Sequence, residues 1–166
     1  MGKIERKYLA HYIDASFGGE TVNYVRLGKD LEEYKKELNP DIESTKNILG
    51  ENSVKHSGYE PSSDVDPFYA YEGDPLFTQL DKIANEYLTG DDTKTTVVDV
   101  LLGSDGTVKW AYREDVIIGV NSVGGGTDGV QIPFTVHYDG NRTKGTWDME
   151  TNTFTPESSQ TSGEGA

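Results

Sequence analysis

Between Val108 and Val120 the apolar positions fall on every second residue. Val108, Trp110, Tyr112, Val116, Ile118 and Val120 share one parity, while Lys109, Ala111, Arg113 and Asp115 share the other. That period predicts a long strand with one face buried. Glu114 stands on the apolar parity, so the strand must bulge there or supply the carboxylate with a charged partner. Val130, Ile132, Phe134, Val136 and Tyr138 repeat the alternation, and Pro133 limits this second strand to an edge, an end or a bulge. Asp139-Gly140-Asn141 then predicts a hairpin turn into a strand over 143–148 that carries Trp147. Residues 95–102 are more continuously apolar and reach the long strand through the turn Gly103-Ser104-Asp105-Gly106. Weaker strand patterns cover 7–13, 21–27, 41–49, 53–59 and 65–71.

One segment has a helical period. Asp74 and Pro75 supply an N-cap and a proline at the first helical position. Leu76, Phe77, Leu80, Ile83, Ala84, Tyr87 and Leu88 follow as an apolar stripe opposite Thr78, Gln79, Asp81, Lys82, Asn85 and Glu86. With Gly90 as the stop, the spacing predicts a helix over 75–88. A second helical stretch, 29–38, has only Leu31, Tyr34 and Leu38 to bury, and Pro40 after it favours an extended Asn39. The whole is a mainly β protein, a sandwich or barrel of about eight strands with one flanking helix, in a single domain over 1–155. Residues 156–166, rich in Ser, Gly and Glu, read as a disordered tail.

Composition sharpens this picture. The 166 residues hold 15 Lys and Arg against 29 Asp and Glu, a formal charge of −14, and no Cys. The first fifty residues are nearly balanced at −1, whereas 51–90 carry −6 and 91–166 carry −7. Such acidity argues against free-standing nucleic-acid binding, which needs cations to replace condensed counterions. No apolar window approaches the roughly 18 residues that span a bilayer. Arg6 also spoils a myristoylation signal at Met1-Gly2. The expectation is a soluble, unprocessed chain made in the cytoplasm, without disulfides, thiolate metal sites or a Cys nucleophile.

The candidates for chemistry are thin. Val123 to Gly129 is glycine-rich but joins two strands and lacks a phosphate-loop Lys, so it reads as a connector. His11, His56 and His137 lie far apart, each in a predicted strand, with no second metal ligand at close spacing. Ser63-Asp64-Val65-Asp66 and Thr89-Gly90-Asp91-Asp92 lack the common calcium-loop pattern and read as solvated turns. Glu114-Asp115 shows no cleft that would split two carboxyl pKa values, as a glycosidase needs. Asn141-Arg142-Thr143 matches a glycosylation acceptor only formally, within the predicted turn. Tyr59, Phe68, Tyr69 and Tyr71 could form either a carbohydrate platform or a subunit contact. No enzyme activity and no cofactor are expected.

The order and spacing of His56-Ser57-Gly58-Tyr59-Glu60-Pro61, Val65-Asp66-Pro67-Phe68-Tyr69-Ala70, Gly73-Asp74-Pro75-Leu76-Phe77 and Thr95-Thr96-Val97-Val98-Asp99-Val100 resemble a major tail tube protein of long-tailed, non-contractile phages or prophages of Gram-positive bacteria. The resemblance covers roughly 7–155 and contains no catalytic signature. It implies a virion protein whose copies close six to a ring around a lumen, with rings stacked through a long loop and the termini. It also implies tape-measure, tail-terminator and distal-tail partners, and DNA passing through without specific binding. On that footing 28–50 is the candidate stacking loop, with Lys29, Asp30, Glu32, Glu33, Lys35, Lys36 and Glu37 giving ring-to-ring complementarity. Asp41, Glu43, Thr45 and Asn47, the polar parity of one strand, are the candidate lumen-facing residues. The alternative is a monomeric carbohydrate-binding β-sandwich using the aromatic cluster, with a hydrolase a distant third.

Overall fold

A computed structural model describes residues 2–157. The chain is mainly β with one α-helix among these residues. In order the strands are β1 (Leu9–Asp14), β2 (Tyr24–Leu27), β3 (Lys36–Glu37), β4 (Pro40–Lys46), β5 (Asn52–Tyr59), β6 (Ser62–Val65), β7 (Lys94–Leu102), β8 (Val108–Val120), β9 (Phe134–Asp148) and β10 (Thr153–Pro156), with α1 (Pro75–Asn85) between β6 and β7. Eight strands form one curled antiparallel sheet in the order β2-β1-β7-β8-β9-β6-β3, and β10 pairs with the far half of β9. The remaining two, β4 and β5, pair only with each other.

Alternation along β1 sends Ala10 and Tyr12 to one face and Ile13 to the other. On the first face they join Tyr24, Val98, Val100, Ala111, Trp147 and Phe154. On the second, Ile13 packs with Val97, Val116, Ile118, Phe134 and Val136 beneath Leu76 and Leu80 of α1. Asp74 caps α1 by accepting a hydrogen bond from the Leu76 amide at 3.0 Å. The helix is shorter than its period suggests. Tyr87, at φ 51°, takes the left-handed position that ends the helix, three residues before the left-handed Gly90, and the Leu88 amide closes back on the Ile83 carbonyl at 3.1 Å, a Schellman ending. Tyr87 is exposed, so its side chain gains little for a strained backbone. Tyr87→Gly should therefore stabilise the fold by about 0.5–1 kcal/mol, read as a melting temperature a few degrees higher.

Three other expectations change. Residues 29–38 contain no helix: Asp30 is left-handed at φ 65°, Tyr34 is buried against the sheet, and Lys36 enters β3. Asn39 is left-handed, at φ 46°, rather than extended; its side-chain amide donates to the Glu60 carbonyl at 3.0 Å, and Asn tolerates this region better than most residues. Asp139-Gly140-Asn141 makes no hairpin. Pairing runs from Arg113↔Thr143 to Val116↔Tyr138, so β9 absorbs two more residues than β8 over this interval, as bulges within one continuous strand. The glycosylation-like triplet thus lies in a strand. Pro133 precedes β9 directly, and the glycine-rich segment does join β8 to β9. Pro156, placed in the tail by the sequence, ends β10 opposite Gly145; residues 158–166 lie outside the described residues.

Candidate assembly surface

The first half of the predicted stacking loop is not free. Lys29 sits over the Tyr71 ring at 3.8 Å, and Asp30 accepts a hydrogen bond from the Tyr71 hydroxyl. Glu33 pairs with Lys35 at 3.4 Å, both well exposed, while Glu32 and Glu37 are exposed. Lys36 turns inward: its ammonium lies 3.1 Å from Glu114 Oε1 and 4.3 Å from the centre of the Tyr138 ring. Arg142 reaches the same oxygen at 3.0 Å across the β9 bulge. The carboxylate on the apolar parity is therefore both paired and opposite an irregularity of the ladder. Asp115 points the other way and accepts from the Asn141 amide at 3.2 Å, so the two neighbouring acids share no site.

The second half stands out from the body. β4 and β5 form an antiparallel arm from Pro40↔Tyr59 to Lys46↔Asn52, and every residue of both strands except the half-buried Gly58 is exposed. Ile42, Ser44, Val54 and His56 share one face; Glu43, Thr45, Ser53 and Lys55 share the other. Asp41 and Glu43 and Thr45 are strand residues as predicted. Asn47 is instead the turn former. Its carbonyl oxygen accepts from the amides of Leu49 at 2.9 Å and Glu51 at 3.1 Å, and its amide donates to the Glu51 carboxylate at 2.7 Å. These bonds hold Ile48 and Leu49 at the tip, 102% and 78% exposed. An isolated two-stranded hairpin is marginal in water, and four large apolar side chains on it (Ile42, Ile48, Leu49, Val54) are left more than half exposed by the described residues. The sequence reading missed Ile48 and Leu49. Their signal is an apolar pair between Asn47 and Gly50, a turn composition lying inside the strand expected over 41–49.

Where the arm leaves the body there is a groove of about 660 Å³. Leu38, Tyr59 and Pro61 line it together with Lys36, Glu114 and Arg142. No family model matches the chain, and no curated protein is significantly similar to it.

Elsewhere the polar groups are mostly consumed internally. His11 Nδ1 lies 2.6 Å from Asp99 Oδ1, both residues being buried, and its Nε2 lies 2.8 Å from Arg6. A guanidinium can only donate, so Nε2 accepts and Nδ1–H donates to Asp99. Arg6 also donates to the carbonyls of Leu9 at 2.6 Å and Tyr34 at 3.1 Å. The lone pair that a general base would use is thus occupied, and the cluster reads as a clamp on the N-terminal segment and the 28–35 stretch. His56 is on the arm and His137 on β9. Among the described residues no group of three or more His, Asp or Glu could hold a metal ion. Of the Asp-rich pieces, Asp64 belongs to β6 and accepts from Thr135 at 2.8 Å, and Asp91 pairs with Lys94 at 3.0 Å. Of the four aromatic candidates only Tyr59, at the arm root, stands apart; Phe68, which meets Phe134 edge-on at 5.4 Å, Tyr69, which bridges to Gln131, and Tyr71, which holds Lys29 and Asp30, line one pocket together. No helix among the described residues is long and apolar enough to cross a membrane.

Beside the clamp, the hydroxyls of Tyr34, Tyr138 and Ser63 meet. Burial pushes the Tyr34 phenol up, with the Asp99 charge adding to it; burial and then Tyr34 do the same to Tyr138. Acids whose folded pKa is raised bind more protons in the folded state once pH exceeds their unfolded value. Their contribution is full below about pH 10 and falls above it by roughly 1.4 kcal/mol per pH unit for each tyrosine. Urea unfolding measured between pH 9 and 11.5 should show that loss, and the double variant Tyr34→Phe, Tyr138→Phe should show a flatter profile.

Proposed function

We propose that this chain is a structural subunit that assembles with copies of itself into stacked rings, forming a tail tube through which DNA passes. The observation that carries the reading is the arm: a hairpin exposed along its length, tipped by two uncovered apolar side chains, gains its stability only on a partner. The resemblance in the ordered segments from His56 to Val100 supplies the rest of the proposal: six subunits per ring, tape-measure, tail-terminator and distal-tail partners, and a place in the virion tail after assembly in the host cytoplasm.

On this reading six copies of −14 bring −84 formal charges to each ring. DNA bears one negative charge per about 1.7 Å of axis, and screening over about 8 Å confines the repulsion to the wall. The consequence is passage without adhesion. Asp41 and Glu43 remain the lumen candidates, now on the charged face of the arm with Thr45. The alternative is a carbohydrate-binding monomer whose platform would be the pocket lined by Phe68, Tyr69 and Tyr71; the exposed arm favours the assembly reading. Size-exclusion chromatography with negative-stain imaging of the purified chain tests the proposal: rings or tubes are expected, and a monodisperse monomer at high concentration and physiological salt would overturn it.

A further inference from the structure

The groove at the arm root and the arm tip have complementary chemistry. The groove combines apolar lining, where Leu38 and Tyr59 are 50% and 59% exposed, with two cations, Lys36 and Arg142, and the Glu114 carboxylate they share. Lys36 and Arg142 both spend contacts on Glu114 Oε1, and the Arg142 side chain remains 40% exposed, with guanidinium N–H groups to spare. Asp139 at the edge is the one further carboxylate lining it. The tip combines Ile48 and Leu49 with the carboxylate of Glu51, directly after the turn. The apolar tip matches the apolar part of the lining, and the Glu51 carboxylate matches the spare donors of Arg142.

We propose that the root groove of one copy receives the arm tip of a second copy, with Ile48 and Leu49 against Leu38, Tyr59 and Pro61, and Glu51 against Arg142. The inference rests on the self-assembly reading and names the surface that the arm meets. A chain does not fill its own groove with its own tip, because tip and root are opposite ends of a seven-residue ladder, about 20 Å apart at strand rise. Two different surfaces on one chain make a heterologous contact. Such a contact propagates head to tail, closing into rings or extending as a stack, whereas tip-to-tip pairing of the arms would stop at a dimer.

Complementation between two full-length variants tests this. Ile48→Asp, Leu49→Asp keeps the groove and spoils the tip; Leu38→Asp keeps the tip and spoils the groove, at a half-exposed position outside either core cluster. Each alone should remain folded by circular dichroism and fail to assemble. Mixed, they should form a complex by analytical ultracentrifugation that neither forms alone, because one productive tip–groove contact is restored per pair. Glu51→Arg should raise the critical concentration for assembly at least tenfold, and the neutral Glu51→Gln should raise it less. If the tip variant abolishes assembly but Leu38→Asp assembles normally, or the mixture gives no complex, the groove is not the acceptor while the self-assembly reading stands. If the unaltered chain forms no particle, both fall.

Discussion

Replacing Ile48 and Leu49 together by Asp should abolish assembly while leaving the subunit folded. Both side chains are almost fully exposed, and substitutions at such positions usually change stability by no more than about 0.5 kcal/mol. Buried in a contact, each would contribute about 1.5–3 kcal/mol. Losing both weakens every contact by about 3–6 kcal/mol, a factor of roughly 10² to 10⁴ in affinity, and a polymer that repeats the contact falls below its critical concentration. The measurement is pelleting and imaging of assembled material, with thermal melting as the control for folding. Assembly at the unaltered concentration would remove the arm from the mechanism.

His11→Ala should be among the most destabilising single changes in the body of the protein, although no chemistry is assigned to that residue. It would leave the buried Asp99 without the Nδ1–H donor at 2.6 Å and Arg6 without its acceptor, and it would open space against the Tyr34 ring, now 4.4 Å away. An unsatisfied buried carboxylate and a cavity together cost about 3 kcal/mol or more. For a chain of this length that corresponds to a melting temperature lower by about 6–12 °C. Adding Asp99→Asn should restore part of the loss, since a neutral amide is cheaper to bury than an unpaired charge. A coupling energy near zero in that double-mutant cycle would show that the two side chains do not act as a pair.

Much of the body was legible in the sequence because strand and helix periods are local. The alternation over Val108–Val120 located β8 to the residue and Asp74-Pro75 marked the start of α1, whereas the strand expected from Val130 begins only at Phe134, after Pro133. Glu114 on the apolar parity announced a partner or a bulge, and the structure has both. Local signals failed where long-range pairing overrode them. Gly140 and Asn141 have the positive φ values of a turn, yet β8 holds the chain in register on both sides of them, so the turn chemistry is spent on bulges. Residues 29–38 have helical composition, but capture of Lys36 by Glu114 and burial of Tyr34 draw them onto the sheet. The candidate stacking charges are mostly exposed or internally paired, and the apolar tip beside them went unread.

Composition and periodicity by themselves determined that this is an acidic, mainly β chain with one capped helix and no cysteine chemistry, because those properties depend on each residue and its near neighbours. Only the tertiary structure decided that the two weak strands around Asn47 leave the sheet as an arm. Whether an apolar residue is covered depends on what the rest of the chain brings against it, and the described residues leave Ile48 and Leu49 102% and 78% exposed. The same holds at the arm root, where Lys36, Glu114 and Arg142 come from three distant segments and meet only because β3, β8 and a bulge in β9 fold to one place.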